Sequence, residues 1–564
     1  MTAEIGDTLG LLGRAFEMQQ RGQFAEAEAL YAQVLASTPD DPTALVNAGA
    51  NALARGDHAL AIARLAHAAR LAPRNAIVHN NLGLALLHAG RAADALASTE
   101  HAIMLQPRMA SAHNHRGIAL AQLRRNAEAR AAFGEAIACD PKLTLAALNF
   151  GEQANNAGDH EEAAVAYERV LAIEPHNMHA ATGRAFATAL SGDLTAAARS
   201  LEATLNRAPQ HAPAWQTLGA VRNFAWDHEG AEAAFLRALA LAPGDPAALF
   251  GLASARLGRG DFALGWEAFE QRPDRAVEIG TAVAALPTWD GSNLEGTLLI
   301  YGEQGFGDVL QFARFVARAR QRVRAVVLLL AGEHAALAPL LRTLAGVDRV
   351  ITRPQDLPDP GAMARVSILS LPHRLGIAAN ELTMTTPYLR VPEDRRMAWA
   401  ARIDAIPKPR VGLAWSVLAR DVNGFVSRHK SIPATVLAPM LQTPAVSLVT
   451  LQPGTQGDPV VFGRDAGTVR DIRALLIDFA DTAAVIAELD LVISADTAVA
   501  HLAGALGKPV WMLDRFNTCW RWRGGVDEPP WYPSMRVFRQ TRFGDWSDVA
   551  TRVGKAFSDW RAGL

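Results

Sequence analysis

The sequence predicts an α-helical solenoid followed by an α/β region of two doubly wound lobes. Three observations predict this architecture. In the first half, prolines recur at a constant spacing, at Pro39, Pro73, Pro107, Pro141, Pro175, Pro209 and Pro243. In the second half, short apolar runs alternate with helical stretches, as parallel sheets with crossover helices require. A proline-bracketed segment at residues 392–409 then divides that half in two.

One repeat unit is readable in Ile77–Pro107. Its first helix carries Gly83, its second carries Ala95, and Pro107 ends it because proline cannot continue a helix. Glycine and alanine are expected where the two helices cross closely. A single pair buries too little apolar surface, so stacked neighbours complete the core. These residues resemble the tetratricopeptide repeat over about residues 8–272, and residues 1–272 are predicted to form the repeat domain.

The amino-acid composition excludes several classes of protein. The 564 residues are half apolar, and 55 basic against 57 acidic side chains leave a formal charge of −2. That charge balance argues against a protein whose main task is to bind nucleic acid or an anionic membrane. The acidic N-terminus lacks a signal-peptide pattern, and no apolar run reaches the roughly 20 residues of a membrane span. We therefore expect a cytoplasmic protein without membrane insertion or a nucleic-acid partner.

A polar row runs through the repeats two residues before the repeat glycine, at Asn47, Asn81, His115 and Asn149. Asparagine is a poor choice inside a helix unless it has a task. One interpretation is a peptide-binding row for an acceptor protein, since each amide both donates and accepts. The repeat domain of the O-linked N-acetylglucosamine transferase is similar in this respect. The alternatives are hydrogen bonds between repeats and simple solvent exposure.

The α/β half is predicted to comprise a linker at 273–295, a first lobe at 296–395 and a second lobe at 396–564. An amphipathic helix closes the second lobe at Trp546–Trp560. The predicted strands are Leu298–Tyr301, Ala325–Leu330, Val366–Leu369, Val411–Trp415, Val446–Leu451 and Leu489–Ser494.

A glycine-rich turn follows the first predicted strand, and Asp308 lies at the start of the next helix. Such a turn lets a ligand approach backbone N–H groups. Asp308 either caps this helix or acts as a general base at the carboxyl edge of the sheet. Gln304, Gly305 and Gln311 of the same motif are predicted to contact the acceptor.

A second strand, turn and small-residue helix occupies residues 489–511. Thr497 and the Ala498 amide stand at the helix N-terminus, where they could hold a phosphate or diphosphate. Asp496 is expected mainly to order the turn. His501, one turn further, is either a satisfied core residue or faces the donor.

Six motifs in this order resemble the glycosyltransferase domain found fused to tetratricopeptide repeats in bacteria. The resemblance covers about residues 284–562 and is to the heptosyltransferase family (glycosyltransferase family 9), and more distantly to the O-linked N-acetylglucosamine transferase family. The motifs are Leu286–Gly291, Glu303–Arg314, Gly412–Ser416, Lys430–Pro433, Asp496–Trp511 and Trp531–Pro533.

The resemblance implies a GT-B fold and an inverting reaction that needs no metal and no cofactor. It places Lys430 at the leaving phosphate, with Ser416 and Ser431 beside it, although relatives usually have Arg-Ser where this chain has Lys430-Ser431. It makes Asp308 the base, with His373 as a competing candidate. Trp520 either stacks on a base or sugar of the donor or packs in the core. The terminal helix is expected to cross back to the first lobe.

The leading hypothesis is transfer of a sugar from a nucleotide-sugar donor to Ser or Thr of an acceptor protein captured by the repeats. Flagellin is the suggested acceptor, because some bacterial proteins of this architecture glycosylate it. Two alternatives stay open. One is a lipid or polysaccharide acceptor, and the other is a transferase-like binding scaffold without activity.

Overall fold

The computed structural model describes residues 2–272, 279–358, 363–382, 386–417, 430–433, 436–437, 446–452, 469–522 and 530–563. The chain divides into two compact units, Met1–Ala187 and Thr188–Leu564. Part of the predicted linker, residues 273–278, lies outside the described residues. In the part that the structure describes, none of the helices is both long and apolar enough to cross a bilayer.

The repeats form paired helices along residues 2–269. Proline falls just after the second helix of each of the first seven pairs, as the periodicity predicts. The helices are α1 Thr2–Gln20, α2 Phe24–Ser37, α3 Pro42–Ala54, α4 His58–Leu71, α5 Ala76–His88, α6 Ala92–Leu105, α7 Ala110–Gln122, α8 Asn126–Cys139, α9 Thr144–Ala157, α10 His160–Ile173, α11 Met178–Leu190, α12 Leu194–Arg207, α13 Ala212–Phe224, α14 His228–Leu241, α15 Pro246–Arg259 and α16 Phe262–Phe269.

The repeat glycines lie where paired helices touch. A Cβ added to Gly83 would meet Thr99 Cγ2 at 2.5 Å, and one added to Gly117 would meet the Phe133 ring at 2.5 Å. Carbon atoms cannot approach so closely, so glycine is needed for this crossing. The predicted helical solenoid is confirmed.

The first lobe is built on a parallel sheet. Among the described residues its strand order is β3-β2-β1-β4. Strand β1 begins inside the predicted linker. The elements are α17 Gly280–Ala284, β1 Leu294–Tyr301, α18 Phe306–Phe312, α19 Val316–Arg320, β2 Val323–Leu329, α20 Ala338–Leu341, β3 Arg349–Ile351, β4 Met363–Ser367 and α21 Leu371–Leu375.

The second lobe has a larger parallel sheet, of order β10-β9-β8-β5-β6-β7 in the described part of the chain. Both sheets match the predicted α/β fold class. The elements are α22 Glu393–Asp404, β5 Arg410–Ala414, β6 Ser447–Thr450, β7 Val469–Arg470, α23 Phe479–Ala487, β8 Leu491–Ala495, α24 Ala498–Ala505, β9 Val510–Asp514, β10 Met535–Arg539 and α25 Ser547–Ala562.

The terminal helix α25 covers the second sheet. Its apolar stripe, Val549, Val553 and Phe557, is buried in a cluster with second-lobe strand residues such as Val411 and Leu513. A stripe at four-residue spacing covers one face of a helix. That face packs on the second sheet, and the crossover to the first lobe stays a prediction.

Candidate functional site

The two predicted motifs meet where α18 of the first lobe packs on α24 of the second. A Cβ on Gly307 would lie 2.7 Å from His501 Cδ2 and 3.6 Å from Ala498 Cα. Each of these helices follows the carboxyl end of a parallel strand, β1 or β8. The contact therefore joins the carboxyl edges of the two sheets, where open α/β folds bind ligands.

Asp308 lies at this contact and has two partners. Its Oδ2 accepts the Gly305 backbone N–H at 3.0 Å, which is the capping role that the sequence allows. Its Oδ1 lies 2.6 Å from Arg521 Nη2 of the second lobe, and a quarter of the side chain (25%) stays exposed. The carboxylate is thus fixed in orientation and still accessible.

Arg521 links the two lobes and changes the interpretation of Gln311. Its Nε donates to Gln311 Oε1 at 2.8 Å. Burial opposes the charge of Arg521, but the Asp308 carboxylate outweighs it and raises the pKa of the guanidinium. Gln311 is fully buried, and its amide oxygen holds Arg521. Its contact with an acceptor stays a prediction.

Lys430 and Asp496 form the second ion pair of the site. Lys430 Nζ lies 2.6 Å from Asp496 Oδ2, and Asp496 Oδ1 accepts the Trp522 Nε1 proton at 3.1 Å. Burial disfavours the Asp496 charge, but the Lys430 ammonium outweighs it and holds the pKa of this carboxyl below its usual range. The aspartate therefore positions Lys430, the predicted phosphate ligand, and binds Trp522. Its role in ordering the turn stays a prediction.

Thr497 caps α24. Its side chain accepts the Val499 backbone N–H at 3.3 Å and lies 3.1 Å from the Ser494 hydroxyl. Thr497 and Ala498 are partly exposed at the helix N-terminus. This end carries the positive end of the helix dipole and can accept an anion.

Ser416 and Ser431 lie together at the carboxyl end of β5. Gln452 binds the Ser416 backbone through both of its amide atoms, at 2.8 and 2.9 Å. Ser431 Oγ accepts the Val417 backbone N–H at 3.1 Å. These bonds hold Ser431, the residue after Lys430, at the sheet edge.

His501 lies in the core, which is one of the two alternatives that the sequence allows. Only 6% of it is exposed, its Nδ1 lies 3.0 Å from the Tyr532 hydroxyl, and it packs on Gly307. Burial lowers the pKa of His501 to about 4, against the attraction of the Asp496 carboxylate. The ring is therefore enclosed and neutral near pH 7, which favours the core alternative.

Trp520 also belongs to the core. It is 5% exposed and makes edge contacts with Trp266 and Phe269 of α16, with ring centroids 5.4 and 5.9 Å apart. This packing favours the core alternative of the two that the sequence leaves open for Trp520.

His373 and Gln304 lie at the same edge of the first sheet. His373 is half-buried on α21, beyond the end of β4. Gln304 adopts a φ of 61°, and its carbonyl accepts from His334 Nε2 at 3.1 Å. Among the described residues, the Asp308 carboxylate binds Gly305 and Arg521 and is not paired with His373.

The polar row of the repeats makes bonds between successive units. Asn149 Nδ2 donates to Asn114 Oδ1 at 2.9 Å, and His115 Nδ1 lies 2.9 Å from Asn80 Oδ1. Asn80 Nδ2 donates to Asn81 Oδ1 at 3.4 Å. The first alternative, hydrogen bonding between repeats, therefore describes Asn149 and His115.

Asn47 and Asn81 are half-buried members of the same row. The bonds of Asn149 and His115 occupy amide and ring atoms that a peptide backbone would otherwise use. The structure thus leaves the row only partly available for acceptor binding.

Sequence reasoning missed Arg521 and the pair of Arg272 with Glu303. Arg272 Nη2 lies 2.6 Å from Glu303 Oε2 and both are buried, which joins the end of the repeats to the turn before α18. The signals were present, because Arg521 stands inside a Trp-Arg-Trp trio and Glu303 opens the glycine-rich motif.

Comparison with known proteins shows which families the two halves of the chain resemble. The profile of glycosyltransferase family 9 (heptosyltransferase) matches residues 476–540, which carry Asp496, Thr497 and Arg521. Tetratricopeptide-repeat profiles match residues 12–63, 47–100, 94–143 and 155–221. The chain joins tetratricopeptide repeats to a glycosyltransferase family 9 domain. It is a glycosyltransferase.

The glycosyltransferase is 29% identical to Protein FlbA of Caulobacter vibrioides (strain ATCC 19089 / CIP 103742 / CB 15) over 426 residues, which cover 64% of this chain and 70% of the relative. A tetratricopeptide repeat protein from Parabacteroides merdae has a TM-score of 0.37 at 17% identity, covering 43% of this chain and 97% of its own. TTC0263 of Thermus thermophilus has a TM-score of 0.29 at 22% identity, covering 32% and 98%.

Proposed function

We propose that this protein is an inverting glycosyltransferase that works without a metal ion and moves a sugar from a nucleotide-sugar donor to a Ser or Thr hydroxyl of a protein. The repeats capture the acceptor, and flagellin is the first acceptor to test. One observation carries the proposal. At the contact of α18 with α24, where the two sheet edges meet, a partly exposed carboxylate, Asp308, is held by Arg521, and a partly exposed ammonium, Lys430, is held by Asp496, the residue before the α24 cap.

Asp308 is the proposed base. The acceptor oxygen attacks the anomeric carbon while the bond from that carbon to the phosphate oxygen breaks. The hydroxyl proton passes to the Asp308 carboxylate, which Gly305 N–H holds in place. A positioned base of this kind contributes roughly 10²–10⁴-fold to rate.

Lys430 and the N-terminus of α24 stabilise the departing phosphate. The Lys430 ammonium is held by Asp496 and keeps 21% of its side chain exposed. A fixed positive charge close to a developing negative charge lowers the barrier without reorganisation. This pair of elements supplies the charge that a divalent cation supplies in other transferases.

The repeats support a protein acceptor. Repeats of this class stack into extended binding surfaces, which suit a polypeptide better than a small sugar. Residues 9–187 expose large apolar side chains such as Met104 (71%) and Val165 (66%).

Transfer by the full chain tests the proposal. Nucleotide sugars are offered with a candidate acceptor protein, and modification is followed by intact mass. Asp308→Asn keeps the cap geometry and removes the base, so we expect a loss of roughly 10²–10⁴-fold. Lys430→Gln is expected to lower transfer as well, because the leaving phosphate loses its cation.

Glu381→Gln is the matched control. Glu381 also accepts a backbone N–H, from Ala378, and pairs with an arginine, Arg318, at 2.6 Å. It lies outside the site, so its loss should leave transfer unchanged. Full activity of Asp308→Asn, or transfer by the wild type only to lipid or polysaccharide, would contradict the proposal.

A further inference from the structure

The turn Trp520–Trp522 connects three parts of the second unit. It follows β9 in the second lobe, Arg521 reaches into the first lobe, and Trp520 packs on the last repeat helices. The mechanism above uses none of these side chains directly.

Arg521 is held more firmly than a surface arginine. Its two bonds to Asp308 and Gln311 have lengths of 2.6 and 2.8 Å. Its guanidinium carbon lies 4.6 Å from the Trp520 ring centroid and 5.7 Å from that of Phe312. Only 12% of the side chain is exposed. Such a planar cation between aromatic faces has little freedom to move.

Trp520 is in turn supported by α16. Trp266 and Phe269 of that helix contact it edge to face. Trp266 is itself fixed, because its Nε1 donates to the Ile377 carbonyl of the first lobe at 3.0 Å. A continuous set of buried groups therefore runs from the last helix pair, through Trp520 and Arg521, to Asp308.

We propose that Arg521 is a positioning residue for Asp308, and that the last helix pair, α15 and α16, holds it in place through Trp520. The proposal rests on the proposed function in naming Asp308 as the base. A reacting carboxylate must be held within a fraction of an ångström of its productive position, and a displacement of about 1 Å can cost roughly 100-fold. The functional catalytic unit therefore extends upstream of residue 273.

A double-mutant cycle on the full chain tests this. We expect Arg521→Gln to lower kcat about 10- to 100-fold, with little change in donor KM. Because Arg521 acts through Asp308, the same change in the Asp308→Asn background should cost nothing further. An arginine with a purely structural role would lower kcat by the same factor in both backgrounds, which would overturn the proposal.

Arg318→Gln is the matched control, since Arg318 pairs with Glu381 at 2.6 Å away from the site. It should leave kcat unchanged. Arg521→Lys keeps the charge but loses the planar fork, and we expect an intermediate kcat; it serves if the glutamine variant does not fold. Wild-type kcat in a folded Arg521 variant, with Asp308→Asn inactive, would overturn this proposal and leave the proposed function standing.

The support from the repeats is tested with Trp266→Phe. We expect a lower kcat in the wild-type background and no further loss in Arg521→Gln. Equal losses in both backgrounds would show that Trp266 does not act through Arg521. Full activity of Asp308→Asn would instead refute the proposed function itself.

Discussion

Replacing Gly307 by alanine tests the packing that brings the two lobes together. The new Cβ would lie 2.7 Å from His501 Cδ2 and 3.2 Å from its Nε2. Ordinary carbon contacts are about 3.5–4.0 Å, so the new Cβ and the His501 ring must move apart by roughly 1 Å. His501 cannot retreat, because it bonds Tyr532 at 3.0 Å and packs on Trp522 at 5.2 Å. Helices α18 and α24 must therefore separate.

Overpacking of this kind costs about 1–3 kcal/mol. The gain in helix propensity from Gly to Ala is at most about 1 kcal/mol. We expect Gly307→Ala to lower the unfolding temperature in calorimetry. Because Asp308 is the next residue, we also expect transfer to fall, measured as kcat.

Gly134→Ala is the control, since its Cβ would meet only the Phe150 ring at an ordinary 3.8 Å. We expect Gly134→Ala to leave the unfolding temperature unchanged or to raise it. The double variant Gly307→Ala/His501→Ala lacks the opposing ring, so it should no longer have the steric overlap. A Gly307→Ala variant as stable and active as the wild type would refute the packing argument.

Two further predictions concern stability. Burial lowers the pKa of His115 to about 4 from 6.5, so the unfolded chain takes up the proton first as pH falls, and stability is lost between about pH 6.5 and 4. His115→Asn should flatten that pH dependence of thermal unfolding, and an unaltered slope would contradict the assignment. Arg314 is 2% exposed and donates to the carbonyls of Gln311, Leu382 and Trp531. Arg314→Leu should destabilise by about 3 kcal/mol or more, because buried carbonyls lose their partners, and an unchanged denaturation midpoint would refute it.

The fold was predictable because its signals are local and repeated. Gly83 and Pro107 recur in register, and a regular period specifies stacked helix pairs without any knowledge of long-range contacts. The terminal helix shows what a local pattern cannot predict. The stripe of Val549 and Phe557 predicts an amphipathic helix, but not which of two sheets it covers.

The site was predictable only in part. Asp308 and Thr497 could be placed at one edge because the carboxyl ends of parallel strands share it, whereas Lys430 was placed there by the family resemblance. Arg521 lies 213 residues from Asp308, and no local pattern pairs charges across two lobes. The exposure of Trp520 was equally undetermined, since a tryptophan suits both a ligand face and a core.

The anomeric configuration of the transferred sugar tests the account most directly. With Asp308 as base, the acceptor oxygen displaces the phosphate in one step, so NMR of the glycosylated product should show the configuration opposite to that of the donor. A product that retains the donor configuration would contradict a single displacement assisted by Asp308.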